Sequence, residues 1–234
     1  MMILYQLSLG LVTRRLAHLS NMSDSPVNLW TNELHAVQYL DRADTIPHRS
    51  EGEAALLEWL PRPLERVLDL GTGDGRLLSI VTAACAPREA VALDFSETMI
   101  ERLRRRFEDV PGIRIVAHDL DSPLPADVGI FDAIVSSFAI HHLSHQRKRV
   151  LYQEVYSCLR PGGVFCNLEH VASATPALHR KFLATLDVRP EDEDPSNKLL
   201  DVQSQLDWLE DIGFVDVDCH WKWRELALLV GSRA

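Results

Sequence analysis

Gly71, Gly73 and Gly75 stand at alternate positions directly after the apolar run of Val67, Leu68 and Leu70, with carboxylates at Asp69 and Asp74 set among them. A buried strand that breaks into such a turn, then opens a helix at Leu77, Leu78 and Ile80, brings bare peptide N–H groups close to a ligand. A dinucleotide fingerprint needs glycine at its first, third and sixth positions, and the sixth, residue 76, is Arg. Arg76 would crowd the close helix packing that the fingerprint requires, and Asp69 with Asp74 would repel a pyrophosphate. A zwitterionic or cationic ligand fits this turn better than a diphosphate. Asp69 can attract an ammonium group while the turn amides meet uncharged or carboxylate oxygens.

S-adenosylmethionine has that character. At this point the chain resembles the class I S-adenosylmethionine-dependent methyltransferases, whose first motif, an acidic residue followed by GxGxG, is matched by Asp69, Gly71, Gly73 and Gly75. VALDFSETMI, residues 91–100, resembles the second strand of that family, with Asp94 lying 23 residues after the first glycine (94 − 71). AHDLDSPLP resembles the third strand end, FDAIVSSFAIHHL the fourth motif, and LRPGGVFCNLEH the turn and fifth strand, so that the ordered set covers residues 64–170. The resemblance implies an α/β fold, a doubly wound, seven-stranded, mostly parallel Rossmann-like sheet with an antiparallel final strand. It also implies S-adenosyl-L-methionine as cofactor, with Asp69, Gly71 and Gly73 at its methionine end and Thr72 in the same turn. Asp94 would take the ribose, Phe95 an adenine face, and Asp119 with Leu120 the adenine edge. Ser136 and Ser137 would approach the reacting end.

Groups for the acceptor are expected at the carboxyl ends of strands, where open α/β sheets bind ligands. His141 and His142 follow the fourth strand, and Glu169 and His170 end the fifth. His141, Glu169 and His170 are the catalytic candidates, His141 as a base with a near-neutral pKa; packing and hydrogen bonding at a helix entry is the competing role. A metal site at His141, His142, His145 and His170 is disfavoured, because adjacent histidines diverge and no ligand spacing is present. Arg49, in IPHR before the first helix, can pair with a cofactor carboxylate. Trp221 and Trp223 flank Lys222, so a strand puts both indoles on one face, as pocket wall or as packing. Trp30, Tyr39 and His48 are candidate lid residues.

Alternating strand and helix patterns position these groups. Strands are predicted over 65–70, 89–94, 112–118, 131–136 and 162–169, with helices over 75–86, 96–109 and 145–159, the last closed by Pro161, Gly162 and Gly163. A helix is predicted over 51–60 before the core. Beyond it come helices over 176–186 and 202–212, an acidic loop over 189–198, and two closing strands over 214–219 and 225–230. Residues 22–63 read as an N-terminal helical cap and 64–234 as the cofactor-binding domain. The apolar start, residues 1–21, has its arginines after the apolar core, the wrong order for a secretory leader, and reads as a disordered or misassigned segment with Met22 as the expected beginning.

The 234 residues suffice for one sizeable domain. With 24 Lys plus Arg against 34 Asp plus Glu, the formal charge of −10 disfavours a general nucleic-acid surface and favours a small-molecule acceptor. The four cysteines include no CxxC pair, which suits a reducing, cytoplasmic setting, and no apolar run reaches membrane-spanning length. Methyl transfer by in-line displacement to a small molecule is the leading expectation. A tRNA or other macromolecule modifier, including a user of modified S-adenosylmethionine, a nicotinamide-dependent oxidoreductase and a non-catalytic binder on the same scaffold remain alternatives. The acceptor atom and the oligomeric state are not legible from sequence.

Overall fold

A computed structural model describes residues 45–234. Helix α1 (Arg49–Trp59) precedes an alternation of β1 (Arg66–Leu70), α2 (Arg76–Cys85), β2 (Glu89–Asp94), α3 (Glu97–Arg106), β3 (Ile113–Ala117) and β4 (Phe131–Ser137). A 3₁₀ turn (Ile140–His142) then leads into α4 (His145–Cys158) and β5 (Leu159–His170). The chain closes with α5 (Pro176–Thr185), α6 (Val202–Ile212), β6 (Phe214–Trp223) and β7 (Leu226–Arg233).

The strands form one seven-stranded sheet in the order β3-β2-β1-β4-β5-β7-β6. All pairings from β3 to β5 are parallel, whereas β7 runs antiparallel to both β5 and β6. The expected fold class is therefore the observed one. Order reverses between β1 and β4, the switch point outside which such sheets bind ligands. Strands β1, β2 and β4 are nearly continuous apolar runs because both of their faces are covered. One core face gathers Leu56, Val67, Leu78, Leu103 and Leu168 beneath α1, α2 and α3. The other gathers Leu68, Leu93, Ile134, Tyr152 and Phe165 beneath α4 and α6.

The helix over 145–159 ends at Cys158, and Pro161, Gly162 and Gly163, within the range of β5, make the expected turn, with Gly162 at φ 75°. Leu159 pairs with Phe131 and the register resumes only at Ala133 with Val164, so residues 160–163 bulge out of the ladder at this turn. The closing strands extend beyond their expected ends, to Trp223 and Arg233, because each supplies ladder partners to the other along most of its length. Among the described residues no helix is long and apolar enough to cross a membrane.

Candidate functional site

The turn between β1 and α2 is built by positive backbone angles at Gly71 (φ 62°), Gly73 (φ 58°) and Gly75 (φ 85°). At Gly71 a side chain is excluded twice over, by its φ and because a Cβ there would overlap that of Ala139 after β4. This contact brings the β4 exit against the glycine turn. Leu120, after β3, reaches the same spot, its Cδ1 lying 3.6 Å from where that Cβ would be.

Asp69, on β1, is fully buried. Its Oδ2 accepts from the Thr72 hydroxyl at 2.6 Å, while Oδ1 is buried with no hydrogen-bond partner. Burial raises its pKa to about 7, the Thr72 hydrogen bond opposing and the negative charge of nearby Asp94 adding to the rise. A buried carboxylate oxygen without a donor is costly unless something supplies one. Asp94, at the end of β2, accepts from Gly73 N and Ser96 N, both at 2.9 Å, which ties the second strand to the glycine turn. Burial raises its pKa as well, those backbone donors opposing. Phe95 follows it, half-buried. Asp119 is exposed and accepts from Asp121 N at 2.9 Å, with Leu120 buried beside it. Ser136 donates to the Leu70 carbonyl at 2.9 Å, a bond between neighbouring strands, whereas the buried Ser137 hydroxyl has no partner. Because β3, β2, β1 and β4 are consecutive in a parallel stretch, their carboxyl ends present Asp69, Asp94, Asp119 and Ser137 along one edge.

Arg49, at the start of α1, is buried; its Nε donates to Glu53 at 2.9 Å and its guanidinium lies 5.2 Å from the Phe138 ring centre. Arg76 reaches the same Glu53 with two donors, at 2.7 and 2.9 Å. The residue that disqualified a dinucleotide fingerprint therefore binds α1 to the glycine turn.

The second group lies where β4 and β5 end. His141 Nδ1 is 2.7 Å from Glu169 Oε1, which also accepts from His170 N at 2.9 Å. Glu169 Oε2 is buried without a partner. Burial pushes the His141 pKa well below its ordinary value and that of Glu169 up, so neutral imidazole is the favoured form. A neutral ring that donates Nδ1–H to Glu169 keeps its lone pair on Nε2. Beneath the pair, buried Lys148 donates to the Lys198 carbonyl, and Lys198 N donates to the His141 carbonyl at 2.9 Å. His142 is 2.8 Å from the Ser196 hydroxyl. The 194–200 segment therefore straps the histidine turn in place. His145 bonds outward to the Leu199 carbonyl at 3.2 Å.

Glu225, the first residue of the strand predicted over 225–230, lies instead in the turn between β6 and β7. It is fully buried and accepts from His170 Nε2 at 3.0 Å, from His179 Nδ1 at 3.1 Å and from the Ser173 hydroxyl. These hydrogen bonds lower its pKa against the opposing effect of burial. His179 also reaches Glu193 at 3.0 Å through Nε2. A glutamate directly before the uninterrupted apolar run LALLV is the one sequence signal that could have found it. Around this chain opens a cavity of about 700 Å³, lined by Ala172, Ser173, Thr175, His179, Glu193 and Asn197 among others.

Trp221 and Trp223 pack between α1 and the sheet: a Cβ on Gly52 would strike Trp221, and the Trp223 ring lies 4.5 Å from that of His48. Trp30 and Tyr39 lie outside the described residues, as do residues 1–21.

Residues 67–163 match a family described as a methyltransferase domain. A demethylmenaquinone methyltransferase of Clavibacter sepedonicus is 34% identical over 118 residues, which are 50% of this chain and 46% of that protein. A malonyl-[acyl-carrier protein] O-methyltransferase of Marinomonas sp. (strain MWYL1) is 34% identical over 109 residues, 46% of this chain and 39% of that one. The chain spans less than half the length of the first curated relatives it matches. Among solved structures, an O-methyltransferase family protein from Burkholderia thailandensis superposes with a TM-score of 0.69 over 88% of this chain and 61% of its own, at 16% identity, and shares the fold.

Proposed function

We propose, from the match of residues 67–163 to a methyltransferase domain and the resemblance of the ordered motifs to the class I S-adenosylmethionine-dependent methyltransferases, that the chain binds S-adenosyl-L-methionine at the glycine turn and catalyses methyl transfer to a small organic acceptor. The unpartnered, buried Asp69 Oδ1 beside Gly71 and Gly73 carries the reading, because it is an anionic acceptor lacking the donor that an α-ammonium group would supply. Asp94 and Leu120 suit the nucleoside end, and Arg49 suits a carboxylate. The cofactor, when bound, supplies a methyl group on a positively charged sulfur, open to in-line displacement. The chain's own contribution is to hold the partners in line and keep water away, which supplies up to about 7–11 kcal/mol in well-oriented systems.

The cavity over residues 172–199 is the acceptor pocket in this reading. Its lining residues Ser173 and His179 bond to Glu225, Glu225 bonds to His170, and His170 N–H donates to Glu169, the partner of His141, so a chain of hydrogen bonds links the cavity wall to that pair. Neutral His141, steered by Glu169, takes a proton from an acceptor that must lose one, and the catalytic set is His141, Glu169 and His170. Glu191, Glu193 and Asp194 on the pocket wall would repel a phosphate backbone, which supports a small molecule over a nucleic acid. Relatives named for demethylmenaquinone and for malonyl-[acyl-carrier protein] support an organic acceptor.

Calorimetric titration with S-adenosylhomocysteine and with NAD tests the cofactor assignment. Binding of S-adenosylhomocysteine is expected, weakened by about 2–4 kcal/mol in Asp94→Ala through loss of charged hydrogen bonds. Binding of NAD alone refutes it.

A further inference from the structure

Glu53 joins two arginines from opposite sides of the cofactor turn. It sits one helical turn after Arg49 on α1, is 2% exposed, and receives Arg49 Nε at 2.9 Å on the same Oε1 that receives Arg76 Nε at 2.7 Å. Arg76 adds a second, parallel bond to Oε2 at 2.9 Å, the fork geometry that fixes a guanidinium against a carboxylate. Arg76 is the first residue of α2, immediately after Gly75, so the fork anchors α1 to the very end of the glycine turn. Arg49 lies over Phe138, whose neighbour Ala139 closes on Gly71. The carboxylate therefore spans from the exit of the turn to the arginine standing at its entrance.

We propose that Glu53 and Arg76 are positioning residues for the amino-acid end of the cofactor: through their fork they hold Arg49 at the Gly71 side of the turn, without touching the ligand themselves. The proposal rests on the cofactor reading given above and adds that the position a dinucleotide fingerprint reserves for glycine serves here to orient a carboxylate-binding arginine. Glu53 is buried enough that its bonds are not exchanged for water, and a buried arginine loses little by being held, since its planar fork is already stiff. The rest of the turn, where Asp94 meets Gly73 and Ser96, contains no part of this triad. Recognition of the nucleoside end is consequently independent of it.

Two ligands separate these ends. S-adenosylhomocysteine carries the amino-acid group, and 5′-methylthioadenosine has the same nucleoside and thioether without it. Their affinities are measured by calorimetry for the full chain and for Glu53→Gln and Arg76→Gln. Gln at 53 keeps shape but cannot neutralise either guanidinium; Gln at 76 is a partly exposed change that keeps the test available should the buried one fail to fold. We expect either variant to bind S-adenosylhomocysteine about tenfold more weakly, the cost of about one charged hydrogen bond, with 5′-methylthioadenosine affinity unchanged within about twofold. Equal losses for both ligands, or no loss for either, overturn the positioning role while leaving the cofactor assignment standing. Failure of the unsubstituted chain to bind either ligand overturns the cofactor assignment and the positioning role with it.

Discussion

Replacing Asp69 by Asn is expected to make the ligand-free protein more stable and to make it a poorer binder. In the folded chain this carboxyl titrates at about 7, against an ordinary 3.8, chiefly because burial removes it from water. Between those two values the folded state keeps a proton that the unfolded chain has released, so stability falls as pH rises from 3.8 and levels off above about 7. At 1.36 kcal/mol per pH unit, the raised pKa of this buried carboxyl costs the fold about 4 kcal/mol at pH 8, where it must ionise in the interior, and about 2 kcal/mol at pH 5, where it must stay protonated. Asn removes that cost, and its carbonyl can still accept from Thr72. Its amide N–H₂ then occupies the place of the unpartnered Oδ1, at a penalty of about 1–3 kcal/mol. The net expectation is a gain of about 1–3 kcal/mol at pH 8 that shrinks to near zero at pH 5. Without the charge, S-adenosylhomocysteine should bind about ten- to a hundredfold more weakly, the loss of a charged hydrogen bond of about 1.5–3 kcal/mol. Urea unfolding of both proteins at the two pH values, with calorimetry at pH 8, reads both effects. A variant less stable than its parent at pH 8, or one that binds S-adenosylhomocysteine as tightly, refutes the reasoning.

Gly71→Ala should lower stability by at least about 1–3 kcal/mol from the positive φ alone, with further loss from the Ala139 overlap, and abolish S-adenosylhomocysteine binding; thermal unfolding and calorimetry within error of the parent would contradict the turn geometry. Once screening supplies an acceptor that must lose a proton, His141→Gln should reduce kcat about 10²- to 10⁴-fold, and because burial holds the His141 pKa well below 6.5 the parent's rate should stay level above pH 6.5; an unaltered kcat would return His141 to a packing role. Burial alone would lower the His179 pKa, but its bonds to Glu193 and Glu225 outweigh that and raise it. The stabilisation is therefore complete below pH 6.5 and lost as pH rises through the raised value. Denaturant unfolding of His179→Gln should show a larger deficit at pH 5.5 than at pH 8.5, and an equal deficit at both would disprove the linkage.

Sequence by itself determined the features that are local along the chain. The alternation of apolar strand and amphipathic helix set the sheet, since a period of two or of 3.6 residues is written in neighbouring positions. The glycine turn, Asp69 and Asp94 were legible for the same reason: positive φ and the placing of a carboxylate at a strand end are properties of a few consecutive residues. Tertiary structure alone decided which side chains meet across long separations. Glu53 lies 23 residues from Arg76, His141 lies 28 from Glu169, and Glu225 lies 55 from His170 and 46 from His179. A glutamate reads alike whether it faces water or accepts three hydrogen bonds in the interior. Only the sheet order, which places β7 beside β5 and brings α1 over the glycine turn, determines the difference. The triplet Pro161–Gly162–Gly163 belongs with the local features: its turn forms as its residue types dictate, with Gly162 at positive φ, and the ladder resumes at Val164.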